Sequence, residues 1–146
     1  MSNEEIEILL VEDSKEDADL AIRALKKRNL GNKLVHLKDG VEALDFIYGT
    51  GAYKGEKIGF LPKVILLDLK MPRLDGMEVL KRIKSDPQTK AIPVVILTSS
   101  AEDPDIKTAY ELGANSYIVK PVEFDNFSQV VIDLGMYWVV LNKLSK

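Results

Sequence analysis

The 146-residue chain contains no cysteine. That excludes disulfides, thiolate nucleophiles and Cys-ligated zinc, and it fits a reducing compartment. It has one histidine, His36. With no second histidine at metal-ligand spacing, His36 reads as a packed or edge residue rather than a ligand or phosphodonor. No uncharged apolar run approaches ~18 residues, so no segment reads as membrane-spanning. The start, Met1-Ser2-Asn3-Glu4-Glu5, is acidic where a secretion signal is basic. Basic residues are not in excess: 20 Lys and Arg against 23 Asp and Glu give a net charge of −3. That balance argues against a protein whose task is to hold nucleic acid or anionic lipid. There is no internal repeat and no low-complexity segment. These absences predict a cytoplasmic protein that acts on neither membrane nor nucleic acid.

What remains is an ordinary globular composition, 46% hydrophobic and 29% charged, enough for one core over residues 1–146. Residues 1–5 read as a flexible leader. Short aliphatic runs recur: Ile6–Val11, Leu34–Leu37, Val64–Leu67, Pro93–Leu97 and Tyr117–Val119. Near-continuous branched residues suit strands covered on both faces. Between them lie helical stripes: Ala18, Ala21, Ile22 and Leu25; Val41, Leu44, Ile47 and Tyr48; Met77, Leu80 and Ile83, stopped by Ser85-Asp86-Pro87; and Ile106, Ala109 and Tyr110. The last stripe is preceded by Asp103-Pro104, read as a cap with proline at the first helical position, and ends at Gly113. A fifth helix spans 124–144. Strand and helix alternate five times, which predicts an α/β fold with an open parallel sheet and right-handed crossovers.

The connection 49–63 is unusually long and carries four glycines. Loops beyond about 12–15 residues in a compact domain are often functional, but this one lacks the Gly-Lys-Ser/Thr of a phosphate-binding loop. Ligands of open α/β sheets bind at the carboxyl ends of the strands. The residues there are Glu12 and Asp13 after the first run, Asp68 after the third, Thr98 after the fourth and Lys120 after the fifth. Lys38-Asp39-Gly40, after the second, reads as a turn. Three carboxylates at one edge repel one another unless a cation is present. An oxygen-only donor set suits Mg²⁺, leaving Lys120 and Thr98 to face an incoming anion.

These residues resemble the response-regulator receiver domain of two-component signalling. The resemblance rests on Leu9-Leu10-Val11-Glu12-Asp13, Leu66-Leu67-Asp68-Leu69-Lys70-Met71-Pro72 with Asp75-Gly76, Ile96-Leu97-Thr98-Ser99 and Tyr117-Ile118-Val119-Lys120-Pro121. It implies a doubly wound five-stranded sheet of flavodoxin-like order 2-1-3-4-5, with helices on both faces. It implies that Asp68 accepts a phosphoryl group from a sensor histidine kinase and later loses it slowly. It implies Mg²⁺ held by Asp13, Glu12 (directly or through water), Asp68 and the backbone carbonyl of Lys70. Lys120 then pairs with the phosphoryl group, the Lys120–Pro121 bond is cis, and Thr98 with Tyr117 forms a switch. The long loop and aromatic tail are similar to the stand-alone regulators paired with bacterial phytochrome kinases.

With no room for an output domain in this length, the expected output is protein–protein contact. Phe127, Val130, Leu134, Tyr137, Trp138 and Leu141 lie on apolar stripes of the fifth helix, more than one face needs, and predict a homodimer. Two other readings compete. A haloacid-dehalogenase-type Mg²⁺ phosphatase also uses a strand-end Asp, but it needs a second Asp where this chain has Lys70. A phosphate-insensitive scaffold would lack one of the acidic, acceptor or lysine positions, and none is lacking.

Overall fold

The computed structural model describes residues 8–27, 34–51, 62–71, 73–99 and 101–120. In chain order these form β1 (Ile8–Val11), α1 (Lys15–Lys27), β2 (Leu34–Leu37), α2 (Gly40–Tyr48), β3 (Val64–Leu67), α3 (Gly76–Ser85), β4 (Val94–Thr98), α4 (Asp103–Glu111) and β5 (Ser116–Val119). All strand pairs are parallel, and the sheet order is β2-β1-β3-β4-β5. This is the doubly wound order expected. The leader 1–5, most of the loop 49–63, the fifth helix 124–144 and its six apolar residues lie outside the described residues.

Each strand feeds two cores, because successive side chains point to opposite faces. Leu9, Val11, Ile65, Leu67, Val94 and Ile96 join α2, α3 and Ala109 of α4 in one cluster. Ile8, Leu10, Val64, Leu66, Val95 and Leu97 join Ala18 and Leu25 of α1 in the other. β1 and β3 are buried along their whole length, which is why they read as unbroken aliphatic runs.

Four details depart from the sequence reading. In α2 the buried face is Gly40, Ala43, Leu44, Phe46 and Ile47. Tyr48 is exposed and Val41 only half-buried. In α3 Val79, with Leu80 and Ile83, takes the place assigned to Met77. In α4 only Ala109 is buried and Tyr110 is exposed. A short helix on a sheet edge needs a narrower stripe than full apolar periodicity suggests. The cap of α4 also shifts by one: Glu102 occupies it without a side-chain bond, and Asp103 is already helical.

Two glycines set the approach of helices to the sheet edge. A Cβ on Gly76 would collide with the carbonyl oxygen of Asp68 and lie 2.7 Å from Leu69 Cα. One on Gly40 would collide with the Leu74 carbonyl and lie 2.8 Å from Val79 Cγ2. The first turns of α3 and α2 therefore press directly on the segment that follows β3.

Candidate functional site

The carboxyl ends of β1, β3, β4 and β5 converge. Glu12 and Asp68 are buried and Asp13 is exposed, and an oxygen from each lies within 4.8 Å of the others. Parallel pairing sets this level. Asp68 N–H donates to the Val11 carbonyl at 3.0 Å, and Glu12 N–H to the Leu37 carbonyl at 2.9 Å. His36 places Nε2 2.8 Å from the Glu12 carbonyl oxygen. The lone histidine is therefore the edge-strand residue that its isolation suggests, and it also contacts the main chain of Glu12.

Lys120 reaches into this cluster from the end of β5, its main chain held by an N–H bond to the Thr98 carbonyl at 2.8 Å. Its Nζ lies 2.5 Å from Glu12 Oε1, 2.8 Å from Asp17 Oδ2 and 3.6 Å from Asp68 Oδ2. Thr98 is fully buried at the end of β4. Tyr117, half-buried in β5 opposite Ile96, packs against the larger core cluster. The Lys120–Pro121 bond lies outside the described residues.

Charge and burial oppose each other here. Burial pushes the Glu12 carboxyl up to about 7; Lys120 pulls it down, and Asp68 adds to the rise. Burial likewise works to lower the Lys120 ammonium, but Asp17 and Glu12, with Asp68, overcome it and raise its pKa. One ammonium thus serves three carboxylates and does not relieve Glu12. The donor set is all oxygen, clustered and short of positive charge, which fits a hard divalent cation. Beside it a cavity of about 440 Å³ is lined by Asp13, Leu69, Lys70, Met71, Asp75, Met77 and Asp105.

Lys70 occupies the loop after Asp68, and its N–H donates to Asp68 Oδ1 at 3.2 Å. Its side chain is exposed, 4.0 Å from Asp105, and offers no second acid for phosphatase chemistry.

Three participants escaped the sequence reading. Asp17 sits in the first turn of α1, which Ser14 caps by accepting the Asp17 N–H at 3.2 Å. Only the fold brings it to Lys120. Asp39 is more than a turn former: Oδ1 caps α2 by accepting the Glu42 N–H at 2.8 Å. The third is Arg73. Its Nη2 donates to Asp39 Oδ1 and Oδ2 at 3.0 and 2.9 Å, and its Nε to Oδ2 at 3.2 Å. Burial works to raise the Asp39 carboxyl, but the Glu42 N–H and Arg73 outweigh it and hold it below the usual range. The one signal available was that Asp39, too, is a carboxylate at a strand end.

Comparison with known proteins gives a consistent answer. Residues 8–132 match the model of the response regulator receiver domain. Response regulator Rcp1 of Synechocystis sp. is 39% identical over 132 residues, covering 90% of this chain and 88% of Rcp1. Among solved structures, the bacteriophytochrome response regulator RtBRR is similar at TM-score 0.82 and 46% identity, covering 92% of this chain and 81% of that one. AtBRR, another bacteriophytochrome response regulator, is similar at 0.81 and 48%, covering 92% and 96%. The Mn²⁺-bound form of Rcp1 aligns at 0.74 and 39%, covering 90% and 93%. The phosphorylated cyanobacterial phytochrome response regulator RcpA aligns at 0.75 and 38%, covering 93% and 95%.

Proposed function

The chain belongs to the response regulator receiver domain family, and on that premise we propose that Asp68 accepts a phosphoryl group from the phosphohistidine of a sensor kinase. The observation that carries this is the convergence of Glu12, Asp13, Asp68 and Lys120 at one sheet edge. An Asp68 carboxylate oxygen attacks phosphorus, the P–N bond of the donor breaks, and an acyl phosphate forms. Transfer of this kind needs an in-line nucleophile and neutralisation of the charge on the equatorial oxygens rather than a strong base. Bound Mg²⁺ supplies part of that neutralisation, and Glu12, Asp13, Asp68 and the Lys70 carbonyl are the groups to hold it. Lys120, 3.6 Å from Asp68, needs only a small movement to pair with a phosphoryl oxygen.

Thr98 and Tyr117 carry the readout: the hydroxyl turns to the phosphoryl group and the ring fills the space it leaves. The adduct then hydrolyses slowly without a dedicated base. The likeness to RtBRR, AtBRR, Rcp1 and RcpA supports a phytochrome-type kinase as donor. Membership of the receiver family supports a place in the cytoplasm beside the kinase domain. No helix among the described residues is long and apolar enough to cross a membrane. Output passes through a homodimer made by Phe127, Val130, Leu134, Tyr137, Trp138 and Leu141, and a monomer in sedimentation at high concentration would contradict that part.

Incubation with acetyl phosphate and Mg²⁺, followed by intact-mass measurement, tests the acceptor. One phosphoryl adduct is expected on the wild type, absent from Asp68→Asn and absent in EDTA. Turnover of a phosphomonoester without an adduct that decays slowly would instead favour a phosphatase.

A further inference from the structure

Residues 69–71 and 73–76, after β3, include Lys70, whose carbonyl the reading above gives to Mg²⁺. The two ends of this stretch meet where Gly76 N–H donates to the Leu69 carbonyl at 2.9 Å. Its far side holds Arg73 at φ 67°, the only non-glycine residue with positive φ among the described residues. A β-carbon makes that conformation unfavourable, and it persists only where the surroundings enforce it. Here they do. The guanidinium forks onto Asp39, a carboxylate 6% exposed and fixed in turn as the cap of α2. Gly40, next in the chain, lets α2 press on Leu74. Arg73 itself is 59% exposed, so the residue fills no core and its restraint is the fork.

We propose that Arg73 is a positioning residue for the metal site: clamped to Asp39, it holds the acceptor loop in the strained conformation that aims the Lys70 carbonyl at the ion. This rests on the assignment of Lys70 and Asp68 to the metal. Outer contacts of this kind commonly set metal affinity tenfold or more. The sign separates positioning from charge. As a cation near the site, Arg73 alone would weaken Mg²⁺ binding, so removing it would tighten binding. As a clamp it strengthens binding, so removing it loosens it.

The decisive variant is Arg73→Gly, which tolerates positive φ and so removes the clamp without adding backbone strain. Calorimetric titration with Mg²⁺ is expected to give a dissociation constant raised about tenfold. Metal-free hydrogen exchange should show the Lys70 and Gly76 amides less protected, while β1 and β3 stay protected. Arg73→Lys, which keeps the charge without the fork, should behave like Arg73→Gly. Binding by Arg73→Gly that is equal to or tighter than wild type would overturn the clamp. A wild type that binds no Mg²⁺ would instead overturn the metal reading on which it stands.

Discussion

Two cations flank the same sheet edge and are built differently. Arg73 meets a single carboxylate, Asp39, with a planar fork, and that carboxylate has a second structural task as a helix cap. Lys120 is a point charge, 15% exposed, divided among Glu12, Asp17 and Asp68. The carboxyl groups respond in opposite directions. Asp39 is held below its usual range despite burial, because its partners suffice. Glu12 is pushed up to about 7 because burial and Asp68 outweigh its share of the lysine. A satisfied pair makes a brace. An undersatisfied group makes a site that takes up a cation and can rearrange when an anion arrives. Arginine suits the first task and lysine the second for the same reason, the geometry of their donors.

The largest effect should come from removing the shared cation. Lys120→Ala is expected to slow adduct formation with acetyl phosphate roughly 10²-fold or more, the usual consequence of losing a donor to developing charge. Intact-mass time courses measure it, and a rate within threefold of wild type would assign the neutralisation to the metal alone. Next is the brace. Asp39→Ala loses both the α2 cap and the partner of Arg73 and should destabilise by about 2 kcal/mol in urea unfolding. The cost stays at that level because the orphaned Arg73 is largely solvated.

Titration sharpens the contrast. Asp39, depressed from its ordinary 3.8, adds stability that is present above that value and lost as pH falls through the lower folded value. Asp39→Asn should therefore flatten the acid limb of stability against pH. Glu12, raised from 4.5 to about 7, has the opposite sign. Its contribution is fully present below 4.5 and lost as pH rises through about 7. Metal-free Glu12→Gln should therefore be more stable than wild type at pH 8, and saturating Mg²⁺ should reverse the order. Thermal unfolding at several pH values reads both. The smallest effect belongs to Asp17→Asn. Asp17 is 41% exposed, so stability should change by less than about 1 kcal/mol. A larger loss would make Asp17 part of the brace.

The elements legible in the sequence were those with one dominant cause. β1, β3 and β4 lie inside the sheet, so aliphatic runs marked them, and the polar residue after each run marked the site. Glu12, Asp13, Asp68 and Lys120 meet because parallel register brings strand ends to one level. Asp39, Asp17 and Arg73 were not legible in the same way. Asp39 and Arg73 are 34 positions apart, and Asp17 and Lys120 are 103 apart. Neither pair has a periodic signature, and Asp-Gly after β2 looks like any turn. Tyr48 and Tyr110 fall on apolar stripes yet are exposed, because helical spacing gives a stripe without saying how wide a face the sheet can cover.

Phosphorylation at Asp68 is expected to draw on Lys120, the shared cation, and to leave Arg73 braced on Asp39. A structure of the phosphorylated, Mg²⁺-bound protein decides this. The expected result is phosphate on Asp68, Lys120 Nζ within hydrogen-bond distance of a phosphoryl oxygen and withdrawn from Asp17, and Arg73 still forked on Asp39. Phosphate on another residue, or Lys120 unmoved while the Arg73–Asp39 pair has separated, would contradict it.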